Sequence, residues 1–300
     1  MQKALLVIVG PTAIGKTAAA IAIARKFSSE IISADSRQVY KELKIGTARP
    51  EANEQGGIPH HLLGHISIEK NYSVADFVQD AETCLNVLFN QHDMVVLAGG
   101  SGLYIDALCN GMDDLPESNP NIKKALNETL SDEGIEKLQE LLFQLDPEYY
   151  KQIDLNNPHR LIRAIEVCKI SGKKYSELRS GRKKFQPFRI VKIGLHLPRE
   201  VLYQRINERV LQMMQAGLLD EVKQLVPYRN LKALKTVGYS ELFDFLGGTT
   251  TLETAIQLIQ QNTRRYAKRQ LTWFRKDPDI HWVEAGGVEF MAEVEKCLQL

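Results

Sequence analysis

Gly10-Pro11-Thr12-Ala13-Ile14-Gly15-Lys16-Thr17 sets two glycines, a lysine and a threonine at G-x-x-x-x-G-K-[ST] spacing, the spacing with which a backbone loop cradles phosphate. Gly10 and Gly15 let N–H groups turn inward, Lys16 reaches the outer phosphate, and the Thr17 hydroxyl takes a place on Mg²⁺. Such a loop needs a strand before it and a helix after it. Residues 4–9 are an apolar run and residues 18–27 an alanine-rich helical stretch, so the helix N-terminus adds its partial positive charge to the site. The whole loop, Gly10 to Thr17, is expected to bind a diphosphate or nucleotide such as ATP.

A nucleotide-hydrolysing machine usually adds an aspartate at the end of a second strand, to support Mg²⁺. The best candidate strand, Met94 to Ala98, runs into Gly99-Gly100-Ser101-Gly102 with no carboxylate, and Asp93 sits at its wrong end. That weakens an ATPase reading. Asp35, by contrast, ends an apolar strand whose carboxyl edge faces the phosphate loop, where it would be a Mg²⁺ ligand, a general base or a helix N-cap. Arg205 and Arg209 lie on a helical stretch whose apolar stripe is Leu202, Ile206, Val210 and Met213; at about 100° per residue Arg209 falls near its centre and Arg205 nearer its edge. An inward arginine needs an anion, either pyrophosphate oxygens or a core carboxylate. Arg160 and Arg163 sit on a helix that Pro158 starts, away from its buried face of Leu161, Ala164, Ile165 and Cys168; they read as a solvated or a phosphate-contacting face. The densest basic stretch, 263–276, repeats cations at i, i+4 with aromatics between them, a pattern suited to RNA backbone and splayed bases. His60, His61 and His65 lack a further ligand at helical spacing and read as hydrogen-bonding or packing residues at the crevice rim.

The elements that position these residues begin with alternating strand and helix patterns: strands at 4–9, 30–34 and 94–98 with a weaker one near 62–66, and helices at 16–27, 73–89 and 101–109. Alternation of this kind predicts an α/β fold with a parallel sheet flanked by helices and ligands at the carboxyl ends of its strands. Three loops then meet at one crevice: the phosphate loop, Asp35-Ser36-Arg37-Gln38, and the Gly99–Gly102 loop with Ser101. A base brought there would be held by those last two loops. From residue 113 to 187 the sequence is polar, helical and punctuated by prolines, which reads as an inserted helical domain; 1–112 and 188–300 form the core, with a strand at 189–197 and mostly helix after Pro198. The net charge of +1 over 300 residues leaves nucleic-acid contact to local clusters. Four dispersed cysteines argue against a zinc site or disulfide framework, and the N-terminal apolar run is too short to span a membrane. A cytoplasmic monomer without a cleavable signal is expected.

The chain resembles the bacterial tRNA dimethylallyltransferases along nearly its whole length. The matching stretches are Gly10–Thr17, Asp35–Tyr40 (DSRQVY), Ile45–Pro50 (IGTARP), Pro59–Leu62 (PHHL), Gly99–Ile105 (GGSGLYI), Asn157–Val167 (NPHRLIRAIEV), Arg209–Val222, Val237–Glu241 (VGYSE) and Thr263–Phe274 (TRRYAKRQLTWF). Ile14 departs from a usual small residue, Ser101 from threonine, Gly64 from an acidic residue and Lys123 from arginine; no counterpart of the eukaryotic relatives' zinc finger is expected. The resemblance implies transfer of a dimethylallyl group from its diphosphate to N6 of the adenosine 3′ of a tRNA anticodon, with Mg²⁺ as cofactor. It implies catalytic roles for Lys16, Asp35 (proton acceptor) and Arg209 (leaving-group charge), and tRNA contacts from Asp35, Ser36, Arg37, Gln38, Ser101, Lys123, His159, Arg160, Leu161, Ile162 and Arg163. A nucleoside or nucleotide kinase is the main rival: ATP on the same loop, Asp35 as base toward a hydroxyl, Arg205 and Arg209 as lid arginines. An RNA-binding protein with a relic nucleotide site is the third reading.

Overall fold

The computed structural model describes residues 3–179, 181 and 185–298. Strand β1 (Ala4–Val9) shows why a sheet forms: Leu6 and Ile8 enter one core cluster, while Leu5, Val7 and Val9 enter a second on the other face. A strand apolar on both faces belongs in the middle of a sheet covered twice. The loop after it leads to α1 (Lys16–Lys26), β2 (Ile31–Ala34), β3 (His60–His61), α2 (Val74–Leu88), β4 (Met94–Gly99) and α3 (Gly102–Asn110).

The strand expected near 62–66 is instead His60–His61, with Ile66 making only an isolated bridge to Tyr40. Leu62 at φ +57° and Gly64 at φ +59° turn the chain out of the extended region just where that strand would have continued.

Residues Asn110–Phe185 form a compact unit of their own. It contains α4 (Pro120–Glu133), α5 (Ile135–Leu145), α6 (Pro147–Tyr150), α7 (Pro158–Ser171) and α8 (Tyr175–Leu178), packed on Leu126, Leu138, Leu142, Leu161 and Ile165. Buried Asp146 joins its short helices, accepting from Tyr149 N at 2.9 Å and Ser176 N at 2.7 Å. The first unit resumes at Gln186, with β5 (Arg189–His196), α9 (Arg199–Gln215), α10 (Leu218–Gln224), α11 (Tyr239–Leu246), α12 (Leu252–Phe274), β6 (Ile280–Glu284) and α13 (Phe290–Leu298). The edge strand β6 and helix α13 were not expected from the sequence.

The six strands are parallel in the order β3-β2-β4-β1-β5-β6. Gly99 pairs with both Val9 and Ala34, so β1, β4 and β2 end level with one another. The phosphate loop, the Asp35 loop and the Gly100 loop therefore leave the sheet at one edge. Among the described residues no helix is long and apolar enough to cross a membrane.

Candidate active site

The phosphate loop is built by its backbone. Gly10 (φ +153°) and Gly15 (φ +103°) occupy conformations that L side chains rarely adopt, and a Cβ at Gly10 would lie 3.2 Å from the Leu195 carbonyl. Gly15 is the N-cap of α1, so the N–H groups of that helix face the loop. Lys16 Nζ donates to the carbonyls of Gly10 (3.0 Å) and Pro11 (2.8 Å). Burial pushes the Lys16 ammonium down to about 8, an effect that Asp35 opposes and Arg209 reinforces. The Ile14 side chain is 1% exposed and packs in the core, which leaves only its backbone to a ligand.

A cavity of about 960 Å³ opens from this loop, lined by Lys16, Thr17, Asp35, Arg37, Arg209 and Tyr266 among others. Arg209 reaches it from α9, whereas Arg205 is exposed and outside it. Burial lowers the Arg209 guanidinium below its ordinary range, and the charge of Glu54 offsets part of that. No ion pair engages Arg209 among the described residues. Among the described residues, then, the core carboxylate considered for it acts at most through the charge of Glu54 and forms no ion pair with it.

Asp35 begins a turn rather than the helix it was considered to cap: Oδ1 accepts from Arg37 N (2.8 Å) and Gln38 N (3.3 Å). Gln38 donates to the carbonyls of Thr47 (3.0 Å) and Ala48 (3.2 Å), and Arg37 to those of Lys232 and Ala233 (both 3.3 Å). Ser101 Oγ accepts from Ser36 N at 2.8 Å, which binds the glycine loop to the Asp35 turn. Gly99 is required there, since its Cβ would lie 2.1 Å from the Ala34 carbonyl oxygen.

Two residues that brace this wall, Gln270 and Glu221, carried no role in the sequence reading. Gln270 accepts from Thr12 N at 2.8 Å and donates to Gly100 O at 2.9 Å. Glu221 accepts from the backbone of Lys44, Ile45 and Gly46 and from Tyr239 Oη (2.6 Å), fixing the loop that Gln38 holds. Tyr266, read as an RNA-stacking aromatic, lines the cavity instead; burial and the nearby Asp35 charge hold its phenol well above the usual range. Gln270, Glu221 and Tyr239 all lie in stretches the resemblance already marked. Their spacing gave no further signal, because each partner is remote in the chain.

The basic stretch is partly committed within the protein. Arg264 donates to Asn207 Oδ1 at 2.5 Å and lies over the Tyr203 ring, and Arg265 donates to Asn262. His60 lines the cavity with Nδ1 on the Ile58 carbonyl (2.8 Å), and burial lowers its pKa; His61 pairs with Glu30. No cluster of three or more metal-ligating side chains exists among the described residues.

In the helical unit Lys123, His159 and Arg160 are exposed. Leu161 and Ile162, expected at the RNA surface, are only 0% and 4% exposed and belong to the hydrophobic core of the unit, so their side chains are removed from that surface. Arg163 is half-buried and held by Glu166 Oε2 (2.9 Å) and the Pro116 carbonyl (2.7 Å), a positioning contact rather than a free cation.

A strand, a glycine loop and a helix at the edge of a parallel sheet define a P-loop-type protein. The IPP transferase family model matches residues 38–277. The tRNA dimethylallyltransferase of Christiangramia forsetii is 54% identical over 284 residues, 95% of this chain and 94% of its own. The full-length tRNA isopentenylpyrophosphate transferase of Bacillus halodurans is 37% identical, with a TM-score of 0.71 over 99% of this chain and 94% of that one. A eukaryotic dimethylallyltransferase solved acting on tRNA gives a TM-score of 0.81 at 27% identity, over 99% of this chain and 77% of its own. The chain belongs to the IPP transferase family.

Proposed function

We propose that this protein transfers a dimethylallyl group from dimethylallyl diphosphate to N6 of the adenosine 3′-adjacent to the anticodon in certain tRNAs, releasing diphosphate. The observation that carries the reading is a pair of desolvated cations, Lys16 and Arg209, in one cavity, Arg209 without an ion-pair partner among the described residues. Cations held out of water in that way fit an anion whose charge rises during reaction. Ionisation of an allylic carbon–oxygen bond creates such an anion. The C–O electron pair leaves with the diphosphate, the N6 lone pair forms the new N–C bond, and the N6 proton passes to Asp35. No water needs activating, in keeping with a β4 that ends in glycine rather than a carboxylate.

Mg²⁺ fits the donors present. The exposed Thr17 hydroxyl at the head of α1 would hold it, with no all-protein cage among the described residues, and Mg²⁺ habitually takes one or two protein oxygens and completes its shell with phosphate and water. Bound there it would neutralise charge on the diphosphate. The adenosine must leave its stack to reach the cavity, and about 960 Å³ holds a prenyl diphosphate and a nucleoside together. The Asp35–Gln38 turn would border the base, with Ser101 bracing that turn through Ser36 N, while Lys123, His159 and Arg160 would meet backbone phosphates of the anticodon stem-loop.

The test is an incubation of the protein and unmodified tRNA with labelled dimethylallyl diphosphate or labelled ATP, followed by digestion to nucleosides. Label from the prenyl donor on the adenosine 3′ of the anticodon is expected. Label from ATP on any acceptor, or no transfer from the prenyl donor, would replace this reading with the kinase or the binding protein.

A further inference from the structure

Gln270 is 6% exposed on α12, and its two side-chain atoms are spent on two different loops of the site. Oε1 accepts from Thr12 N in the phosphate loop at 2.8 Å, and Nε2 donates to the Gly100 carbonyl at 2.9 Å. From Gly100 the connection continues one residue on, where Ser101 Oγ accepts from Ser36 N, the neighbour of Asp35. A single amide thus sits between the loop that carries Lys16 and the loops that carry Asp35. The glycines of the Gly100 loop fit this purpose. A Cβ on Gly100 would lie 2.3 Å from Gln270 Nε2, and one on Gly102 would lie 2.4 Å from the Trp273 ring, three residues along the same helix. Trp273 in turn donates to Asp106 Oδ2 at 2.8 Å, which seats α12 against α3.

We infer that Gln270 is a positioning residue for the transfer reaction: it fixes the separation of the diphosphate-binding loop from the Asp35 turn, and Gly100 lacks a side chain so that Gln270 can occupy this place. The inference rests on the proposed function for its readout. Removing the amide leaves the Thr12 N–H and the Gly100 carbonyl without their partner. Both loops then drift, and a misplacement of about 1 Å between reacting groups costs on the order of 10²-fold in rate.

The experiment is a double-mutant cycle with Gln270→Ala, Gly100→Ala and the pair together, read by single-turnover transfer at saturating donor and tRNA, by tRNA affinity and by melting temperature. Each single variant is expected to lose about 10²-fold in rate with tRNA affinity within about twofold of wild type. The double variant is expected to match the singles rather than multiply them, because the added methyl no longer meets the amide it displaces. Gly100 takes no left-handed conformation, so alanine is admissible there in the double variant. Gln270→Glu keeps the acceptor for Thr12 and loses the donor to Gly100; it takes the place of Gln270→Ala should that variant not fold, and a loss of at least tenfold is expected.

Losses that multiply, a rate within threefold of wild type, or a defect confined to tRNA affinity or to melting temperature would overturn the inference. An inactive wild-type protein would overturn the proposed function instead.

Discussion

Asp35 uses one carboxylate for two tasks: Oδ1 organises the turn, and the group is the proposed acceptor of the N6 proton. Asn preserves the first task, since its carbonyl oxygen accepts the same two N–H bonds, and abolishes the second. Asp35→Asn should therefore keep the melting temperature and donor affinity while the single-turnover rate falls by about 10²–10⁴; a fall of less than tenfold would remove Asp35 as the base. Ser101 invites a different comparison. Its hydroxyl was expected either to touch RNA or to cap α3, and the structure commits it to Ser36 N. Ser101→Ala should slow turnover by loosening the Asp35 turn, and Ser101→Thr, which restores the hydroxyl, should recover it. Steady-state rates of the two variants check this, and an equally slow threonine variant would contradict it.

At the scale of elements, the helical unit depends on one buried carboxylate. Glu166 is 1% exposed on α7 and accepts from Ser118 Oγ (2.6 Å), Asn119 N (2.8 Å) and Arg163, which places the start of α4, where Lys123 lies. Burial alone would raise its pKa, but these hydrogen bonds and the Arg163 charge outweigh that and hold it below its ordinary 4.5. A depressed carboxylate adds stability that is complete above its unfolded value and is lost as pH falls through its folded one. Unfolding of wild type should thus become markedly easier below about pH 4.5, and Glu166→Gln should be less stable at neutral pH by about 1–3 kcal/mol with a flatter acid limb. Denaturant melts between pH 3 and 7 measure both; parallel acid limbs would contradict the assignment. On the same helix Arg160 is exposed while Arg163 is engaged. Arg160→Ala should shallow the salt dependence of tRNA binding by about 0.7–0.9 per log unit, and an unchanged slope would make Arg160 an ordinary surface cation.

The same scale shows what the sequence could disclose. The phosphate loop is local: eight consecutive residues carry strand end, glycines and helix start, so they were legible. The level ends of β1, β2 and β4 followed from alternation. Gln270 was not legible, since its partners lie 258 and 170 residues away and no periodicity joins them. Leu161 already lay on the buried face that the spacing predicts; the tRNA contact implied for it and for Ile162 came from the resemblance alone, and both side chains lie in the core of the unit. The break after His61 depends on positive φ at Leu62, a residue that rarely adopts it.

For the molecule as a whole, the site draws on both sides of the helical unit: loops of β1, β2 and β4 precede it, and α9 and α12 follow it. Gln186 donates to the Leu108 carbonyl at 2.7 Å, so the chain leaves and rejoins the first unit at one place and the sheet is continuous across the insertion. Family membership follows from the whole chain, and the chemistry from a few atoms at one edge of the sheet. Under the proposed function the phosphate loop handles a leaving diphosphate rather than a phosphoryl group in transit. The direct measurement is a single-turnover reaction with dimethylallyl diphosphate labelled separately in its allylic carbon and its phosphorus, with unmodified tRNA as acceptor. All carbon label on tRNA and all phosphorus label in free diphosphate is the expected result; phosphorus label on tRNA, or cleavage of the donor with no carbon transferred, would contradict a leaving-group role for the loop.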